Sequence, residues 1–373
     1  MNIGYDAKRI FHNTTGLGNY SRDLVRILSE SYPNNTYNLY NPKPAKVHRL
    51  QTDGKIVVEH KPKSFLSKKL PSIWRSKWIV RQLQKDQIEI FHGLTGELPY
   101  GIEKTNIKTV VTIHDLIFVR YPELYKAIDR KIYFKKFKYA ADIANVIIAI
   151  SEQTKQDIVD FLDINPDKIQ VIYQGCHQIF KSEISNEFQK EVLKKYHLPE
   201  SYILNVGAVN ERKNVLSLIK AIQHTNYNLV VVGNGTEYYQ RVRKYVTDNQ
   251  LSERVFFLQG MTMEELAALY RNAQVFVYPS IFEGFGIPII EALYSKTPVI
   301  TSLGGCFPES GGPETLYINP KNTQQIKEAI DTTLADSNKK DLQAQYGFNY
   351  VQKFNDDVIS KQIMNLYKDL MND

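Results

Sequence analysis

Several stretches of this 373-residue sequence are unbroken apolar runs only four or five residues long, such as Val110-Val-Thr-Ile113 and Val146-Ile-Ile-Ala-Ile150. Runs of this kind lack the alternation of a half-exposed strand and fit parallel strands buried on both faces. Probable strands are Asn2–Asp6, Tyr37–Tyr40, Lys55–Glu59, Glu89–His92, Thr109–His114, Val146–Ile150 and Gln170–Tyr173. Helical stretches lie near Tyr20–Glu30, Ile73–Gln84, Tyr125–Ala141 and Glu152–Phe161. Strand–helix alternation of this sort predicts a doubly wound α/β sheet.

The pattern breaks over the polar residues 181–200 and resumes at Tyr202, so a boundary is expected between 178 and 201. Strands are then expected at Tyr202–Val206, Asn228–Val232, Val255–Leu258, Val275 onward, Pro298–Thr301 and Leu316–Ile318. Helices are expected at Val215–Gln223, Glu237–Asp248, Met263–Arg271 and from Asn322 to the end. The last helix, Asp357–Leu370, spaces its apolar residues onto one face and must pack against something. The length suits two domains of similar build. We divide the chain into residues 1–180, residues 181–355, and a terminal helix 356–373.

Composition is that of a globular protein, with 43% apolar and 23% charged residues. No apolar run approaches the roughly 20 residues of a membrane span. Cys176 and Cys306 have neither framework nor metal-ligand spacing and read as reduced thiols of a cytoplasmic protein. Residues 1–180 carry net +9 and the remainder −2. The basic half invites a polyanion, but no nucleic-acid module is recognisable. Residues 61–81 hold both tryptophans and many cations, which suits either an anionic membrane surface or a core-packing helix with a solvated outer face. Lys135, Lys136 and Lys138 form a second basic patch that reads as surface.

Ligands of doubly wound folds bind outside the carboxyl ends of strands, and four candidate groups fall there. Between the first strand and helix, Gly16 and Gly18 allow close backbone approach to a phosphate. The third glycine and acidic residue of a dinucleotide fingerprint are missing. His114 and Asp115 end another strand, where a histidine can donate to an oxyanion or a sugar hydroxyl; His92, ending the strand before, is better explained as structural. Past Gly207, Arg212 and Lys213 are expected at a helix start, where basic residues oppose the dipole, and an Arg fork beside a Lys would clamp a diphosphate. Finally, Glu283-Gly-Phe-Gly-Ile-Pro-Ile-Ile-Glu291 reads as strand, glycine loop and helix. Backbone N–H groups reached past Gly284 and Gly286 make an anion site, with two carboxylates bracketing it.

Together these segments resemble the group 1, family 4 retaining glycosyltransferases. The central motif, E-G-F-G-x-P-x-x-E, is present without a gap. Gly16-Leu-Gly-Asn-Tyr20, Val111-Thr-Ile-His-Asp-Leu116, Arg212-Lys-Asn214 and Glu265-Leu-Ala-Ala-Leu-Tyr270 agree in order. The resemblance implies the GT-B fold: two tandem Rossmann-like domains facing a central cleft, acceptor in the first and donor in the second, with the C-terminal helix returning to the first domain. It implies that Glu291 binds ribose hydroxyls, and that Glu283 with the backbone of Phe285, Gly286 and Ile287 holds the sugar and phosphates. Arg212 and Lys213 would neutralise the diphosphate, the Gly16–Gly18 loop would approach it, and His114 would lie near the anomeric carbon. Ala208 stands where many relatives have Arg, and Gly304-Gly-Cys-Phe307 is an unusual version of its loop.

The expected activity is hexose transfer with retention from a nucleotide-diphosphate sugar to a glycan or lipid-linked oligosaccharide, serving cell-surface polysaccharide or lipopolysaccharide assembly at the inner face of a membrane. No cofactor and no metal are expected, since no Asp-x-Asp motif occurs. Asp6-Ala-Lys-Arg9 and His114-Asp-Leu-Ile-Phe118 are similar to mannosyltransferase segments, which favours GDP-mannose ahead of UDP-hexoses. A GT-B protein that binds a nucleotide sugar or glycan without transfer is the alternative, and a non-sugar Rossmann oxidoreductase is a third.

Overall fold

The structure is a computed structural model that describes residues 1–50 and 52–372. The chain divides into two compact units, Met1–Gly175 with Phe354–Asp373, and Cys176–Lys353.

The first unit holds β1 (Asn2–Asp6), β2 (Thr36–Tyr40), β3 (Val57–His60), β4 (Ile90–Gly93), β5 (Lys108–Ile113), β6 (Val146–Ala149) and β7 (Ile169–Val171). Their order is β3-β2-β1-β4-β5-β6-β7, every pair parallel. The chain steps outward to β3 and then returns to lay β4 beside β1, so the winding reverses between β1 and β4. The second unit holds β8 (Ile203–Val206), β9 (Leu229–Val232), β10 (Val255–Leu258), β11 (Val275–Tyr278), β12 (Val299–Ser302) and β13 (Leu316–Ile318). Its order is β10-β9-β8-β11-β12-β13, again all parallel, with the reversal between β8 and β11. Each expected strand is present with its ends moved by at most two residues. The apolar runs find helices on both sheet faces, as their composition requires.

Helices depart from expectation where polarity hides them. The stretch read as a polar connection contains the helix Asn186–Lys195, capped by Ser185. Phe188, Val192 and Tyr196, four apart, make its narrow apolar stripe, and Val192 is buried. Lys195 and Tyr196 both bond to Glu265 on the helix Met263–Asn272. The first long helix spans Gly16–Ser31, four residues earlier than read, with Thr15 at its N-cap and the Asn13 side chain bracing the turn that leads into it. Its Oδ1 accepts from Thr15 N–H at 2.8 Å and Gly18 N–H at 3.2 Å. A Cβ at position 18 would lie 2.1 Å from the Asn13 carbonyl oxygen, so only glycine fits there. The basic stretch after residue 61 is broken into short helices around a π-helical turn, Trp74–Trp78, whose Trp74 is buried.

The terminal helix Asp356–Asn372 belongs to the first unit. It buries Ile359, Ile363, Leu366, Tyr367 and Leu370, and Arg26 pairs with Asp356 at 2.7 Å. A buried hydrogen-bond chain fixes its register. The Tyr367 hydroxyl lies 2.6 Å from His92 Nδ1 and 3.3 Å from the Tyr5 hydroxyl. His92 Nε2 continues to Thr112 Oγ1 at 2.8 Å, which also meets Tyr20 at 3.1 Å. Burial, and then the neighbouring His114, hold His92 at about 3, so it is neutral and structural. Tyr367→Phe removes one oxygen and strands two buried polar partners. Urea unfolding is expected to show a loss of about 1–3 kcal/mol; an unchanged midpoint would mean the chain does not anchor the helix.

Candidate functional site

The winding reversal of the second sheet brings two strand exits together. Gly207 leaves β8 at φ +142°, and a Cβ on Gly233 would lie 1.9 Å from the Gly207 carbonyl oxygen. The chain then makes a turn over residues 211–213, and Asn214, at φ 56°, opens the helix Val215–Ala221. Arg212 and Lys213 therefore sit in the turn that leads into the start of that helix. Side-chain amides set the turn. Asn210 Oδ1 accepts from Lys213 N–H at 3.0 Å, and Asn214 Nδ2 donates to the Pro320 carbonyl at 2.7 Å. The exit of β11 is tied to the same turn, since the Arg212 carbonyl accepts from Ile281 N–H at 2.8 Å and from Ser280 Oγ at 3.2 Å.

Both cations converge on Glu283. Its Oε1 lies 2.6 Å from Arg212 Nη1 and 2.6 Å from Lys213 Nζ. The same oxygen accepts from Ser280 Oγ at 2.6 Å and the Tyr278 hydroxyl at 3.1 Å. Arg212 also donates to the Phe282 carbonyl, and Lys213 to the Tyr278 hydroxyl. Glu283 is only 8% exposed. Burial alone would raise its pKa, but Lys213 and Arg212 outweigh that and hold it at about 2. Lys213 is pushed down by burial and by Arg212 while Glu283 pulls it up. Both cations thus sit on the Glu283 carboxylate.

Glu291 is placed differently. It lies on the helix Ile287–Tyr294, 9% exposed, and accepts from the Tyr270 hydroxyl at 3.0 Å. Burial raises it to about 7, with Tyr270 and the Lys213 charge acting the other way. Between the carboxylates, Gly284 and Phe285 lead into Gly286, which caps the helix at φ +105°. Ile289 N–H turns back to the Gly286 carbonyl at 2.9 Å, and Pro288 has no N–H. The N–H groups of Gly286 and Ile287 have no acceptor among the described residues. Cys306, a free buried thiol, donates Sγ–H to the Glu283 carbonyl at 3.2 Å from the loop whose Gly304 and Gly305 have positive φ.

In the first unit His114 follows β5 directly. Its Nε2 is 3.0 Å from the Leu94 carbonyl, and its ring lies edge-on to Tyr20 at 4.6 Å. Burial lowers it to about 4, so the imidazole is neutral and Nε2 carries the proton. Asp115 Oδ1 accepts from Ile117 N–H at 3.1 Å. Gly16 and Gly18 form the first turn of their helix, and the N–H groups of Gly16 and Leu17 have no acceptor among the described residues.

The second unit thus gathers Gly207, Arg212, Lys213, Glu283, Gly284, Phe285, Gly286, Ile287 and Glu291 around one strand reversal. The first carries Gly16, Gly18, His114 and Asp115. Sequence reasoning missed Tyr270, Tyr278, Ser280 and Asn210, which orient these groups. Tyr278 ends a strand and Ser280 follows two residues later on the same side, a readable signal. Tyr270 reads as one more residue of an apolar helix face and gives none.

Comparison with known proteins is consistent across the chain. The glycosyl transferases group 1 family matches residues 186–350, and Glycosyltransferase Family 4 matches residues 15–177. The chain is 34% identical to the O-antigen chain mannosyltransferase RfbU of Salmonella typhimurium over 59% of its own length, a match spanning 62% of RfbU. It is 27% identical to O-antigen chain mannosyltransferase B of Escherichia coli, covering 99% of this chain and 100% of that one. Anabaena Alr3699/HepE, solved in complex with UDP-glucose, superposes with a TM-score of 0.77 at 17% identity, over 99% of this chain and 100% of that one. Two parallel sheets, the unbroken glutamate motif and both family matches lead to one assignment: the chain has the GT-B fold and belongs to the group 1 glycosyltransferases.

Proposed function

We propose that the protein transfers a hexose, mannose first, from a nucleotide-diphosphate sugar to a glycan acceptor with retention at the anomeric carbon. The observation that carries this reading is the meeting of Arg212, Lys213 and Glu283 beside the glycine turn that opens the Glu291 helix. A diphosphate needs fixed positive charge and N–H donors, while a sugar needs carboxylate acceptors. This site supplies both. On donor binding the two cations turn from Glu283 to the diphosphate, and Glu283 accepts hydroxyls of the transferred sugar. Glu291 accepts the ribose hydroxyls. In the first unit the N–H groups of Gly16 and Leu17, in the turn that Gly18 closes, are donors suited to a phosphate, and His114, oriented by its bond to Leu94, is suited to a sugar hydroxyl; Asp115 holds the turn that follows it.

The departing diphosphate takes the acceptor hydroxyl proton on the face it leaves, so no enzyme nucleophile and no metal is invoked. Mannose is favoured because both relatives described above are named O-antigen chain mannosyltransferases. A UDP-hexose donor is the second reading, favoured by the HepE complex with UDP-glucose. The product would extend an O-antigen-like polysaccharide on a lipid carrier.

A membrane surface is also proposed as partner. No helix among the described residues is long and apolar enough to cross a bilayer. Residues 61–85 contain eight Lys and Arg and no acidic residue. Phe65 and Leu66 there are 70% and 60% exposed, and Ile128 on the helix Ala127–Ile143 is 67% exposed. Apolar side chains ringed by cations suit the inner face of an anionic membrane.

These proposals are open to direct measurement. Arg212→Ala and Glu283→Gln should each lower transfer by ~10²–10³, and NMR of the product should show the donor's anomeric configuration; near-normal rates or an inverted product would overturn the reading. A thermal-shift screen against GDP-, UDP- and ADP-sugars should single out GDP-mannose. With that donor, affinity should strengthen as pH rises through about 7, because the ionised Glu291 is the better hydroxyl acceptor; Glu291→Gln should flatten the dependence. Sedimentation with phosphatidylglycerol vesicles should pull the protein down at low salt, and Phe65→Glu with Leu66→Glu should abolish it; equal recovery with neutral phosphatidylcholine would argue against the charged surface.

A further inference from the structure

The first unit has a strand reversal of its own, between β1 and β4, and open α/β sheets seat ligands at the carboxyl ends beside such a reversal. Asp6 is the last residue of β1, and the chain leaving β4 at Gly93 carries Glu97 four residues on. A narrow crevice here is lined by Asp6, Arg75, Glu97, Tyr100, Lys136 and Tyr139. None of these six has a part in the donor site.

Their chemistry is specific. Arg75 Nε bonds both Asp6 oxygens at 2.9 Å, and its Nη1 donates to Glu97 Oε2 at 2.9 Å. Lys136 Nζ reaches the same Glu97 oxygen at 3.2 Å, so this lysine of the supposed surface patch turns inward. The Arg75 and Asp6 side chains are 11% and 8% exposed, whereas Glu97 and Lys136 keep 24% and 36%. At the mouth, Tyr100 is 43% exposed, with its ring 4.5 Å from that of Tyr139. The Tyr139 hydroxyl is fixed in turn by Glu103 and by Gly101 N–H.

A sequestered cluster of four charges contributes little net stability compared with apolar residues of the same volume. Arg75 and Lys136 are already bonded to Asp6 and Glu97, so neither cation is left open to a phosphate. The cluster is well suited to a neutral ligand rich in hydroxyls. Carboxylate oxygens accept from hydroxyls, the ammonium donates to them, and an exposed tyrosine face packs on the C–H face of a pyranose. We infer that the acceptor docks at the mouth of this crevice, with a terminal hexose ring lying on Tyr100 and its hydroxyls on Glu97 and Lys136. The inference rests on the glycosyl-transfer reading and adds to it the residues that select the acceptor.

The test uses the full chain with methyl α-mannoside and an α-linked mannobiose as probes. In saturation-transfer NMR both sugars should show contact with the wild type, and Tyr100→Ala should abolish it. In transfer assays Tyr100→Ala and Glu97→Gln should raise the acceptor KM tenfold or more while the donor KM stays within twofold. Tyr100 is exposed, so its variant should keep the wild-type melting temperature even if Glu97→Gln loosens the charge cluster. An acceptor KM unchanged in both variants, or no NMR contact with either sugar in wild type, would overturn the site. Failure of every nucleotide sugar to bind would overturn the transferase reading instead, and the NMR result would still decide whether the crevice holds a sugar.

Discussion

The ion cluster on Glu283 is the constraint from which the second unit's site follows. A carboxylate this buried is stable only while its charge is met. Arg212 and Lys213 meet it from the exit of β8, and Tyr278 and Ser280 meet it from the exit of β11. Two strand ends and the turn between them are therefore held by one oxygen atom. The Cys306 bond to the Glu283 carbonyl adds the loop after β12 to the same point. A ligand that draws the cations away must offer its own negative charge to them and hydroxyl donors to the carboxylate. That double requirement calls for a ligand that is anionic and carries hydroxyl donors at once.

The two glutamates of the motif have seven residues between them yet are electrostatically opposite. Both are buried, which by itself raises a carboxyl pKa. Glu283 has two cations in contact and falls to about 2; Glu291 has a tyrosine hydroxyl and rises to about 7. Their effects on stability run in opposite directions. Glu283 contributes stability that is present above its unfolded value of 4.5 and is lost as pH falls toward 2. Glu291 favours folding in its protonated form, a contribution present below 4.5 and lost as pH rises through 7. The motif thus pairs a carboxyl held well below its ordinary range with one moved up toward neutral pH.

The sheets were legible because buried parallel strands need continuous apolar runs, and runs such as Val146–Ala149 and Val275–Tyr278 satisfy nothing else so well. The glutamate motif was legible because each residue has a local job: Gly286 needs positive φ, and Pro288 tolerates the loss of an N–H in the first turn. What was not legible depends on distant partners. Asn186–Lys195 looks like a linker until Glu265 and an apolar groove are brought to it. Arg212 and Lys213 look like a free clamp until folding delivers Glu283, 70 residues later, onto them. Lys136 looks like a surface lysine until Glu97 appears beside it.

The recurrence of one arrangement in both units bears on how such sites arise. Each sheet reverses its winding once, and at each reversal a carboxylate is gripped by one arginine and one lysine: Glu283 in the second unit, Glu97 in the first. Helices diverge to opposite faces at a reversal, so the strand ends there are covered less than elsewhere, and charged groups can be partly buried while still reaching solvent. Packing does not demand them, because apolar residues would fill the same volume at no loss of stability. The difference between the two clusters lies in the remaining charge. In the second unit two cations face one carboxylate, leaving a positive charge in excess. In the first, Asp6 supplies a second carboxylate to Arg75, so two carboxylates are paired with the arginine and the lysine.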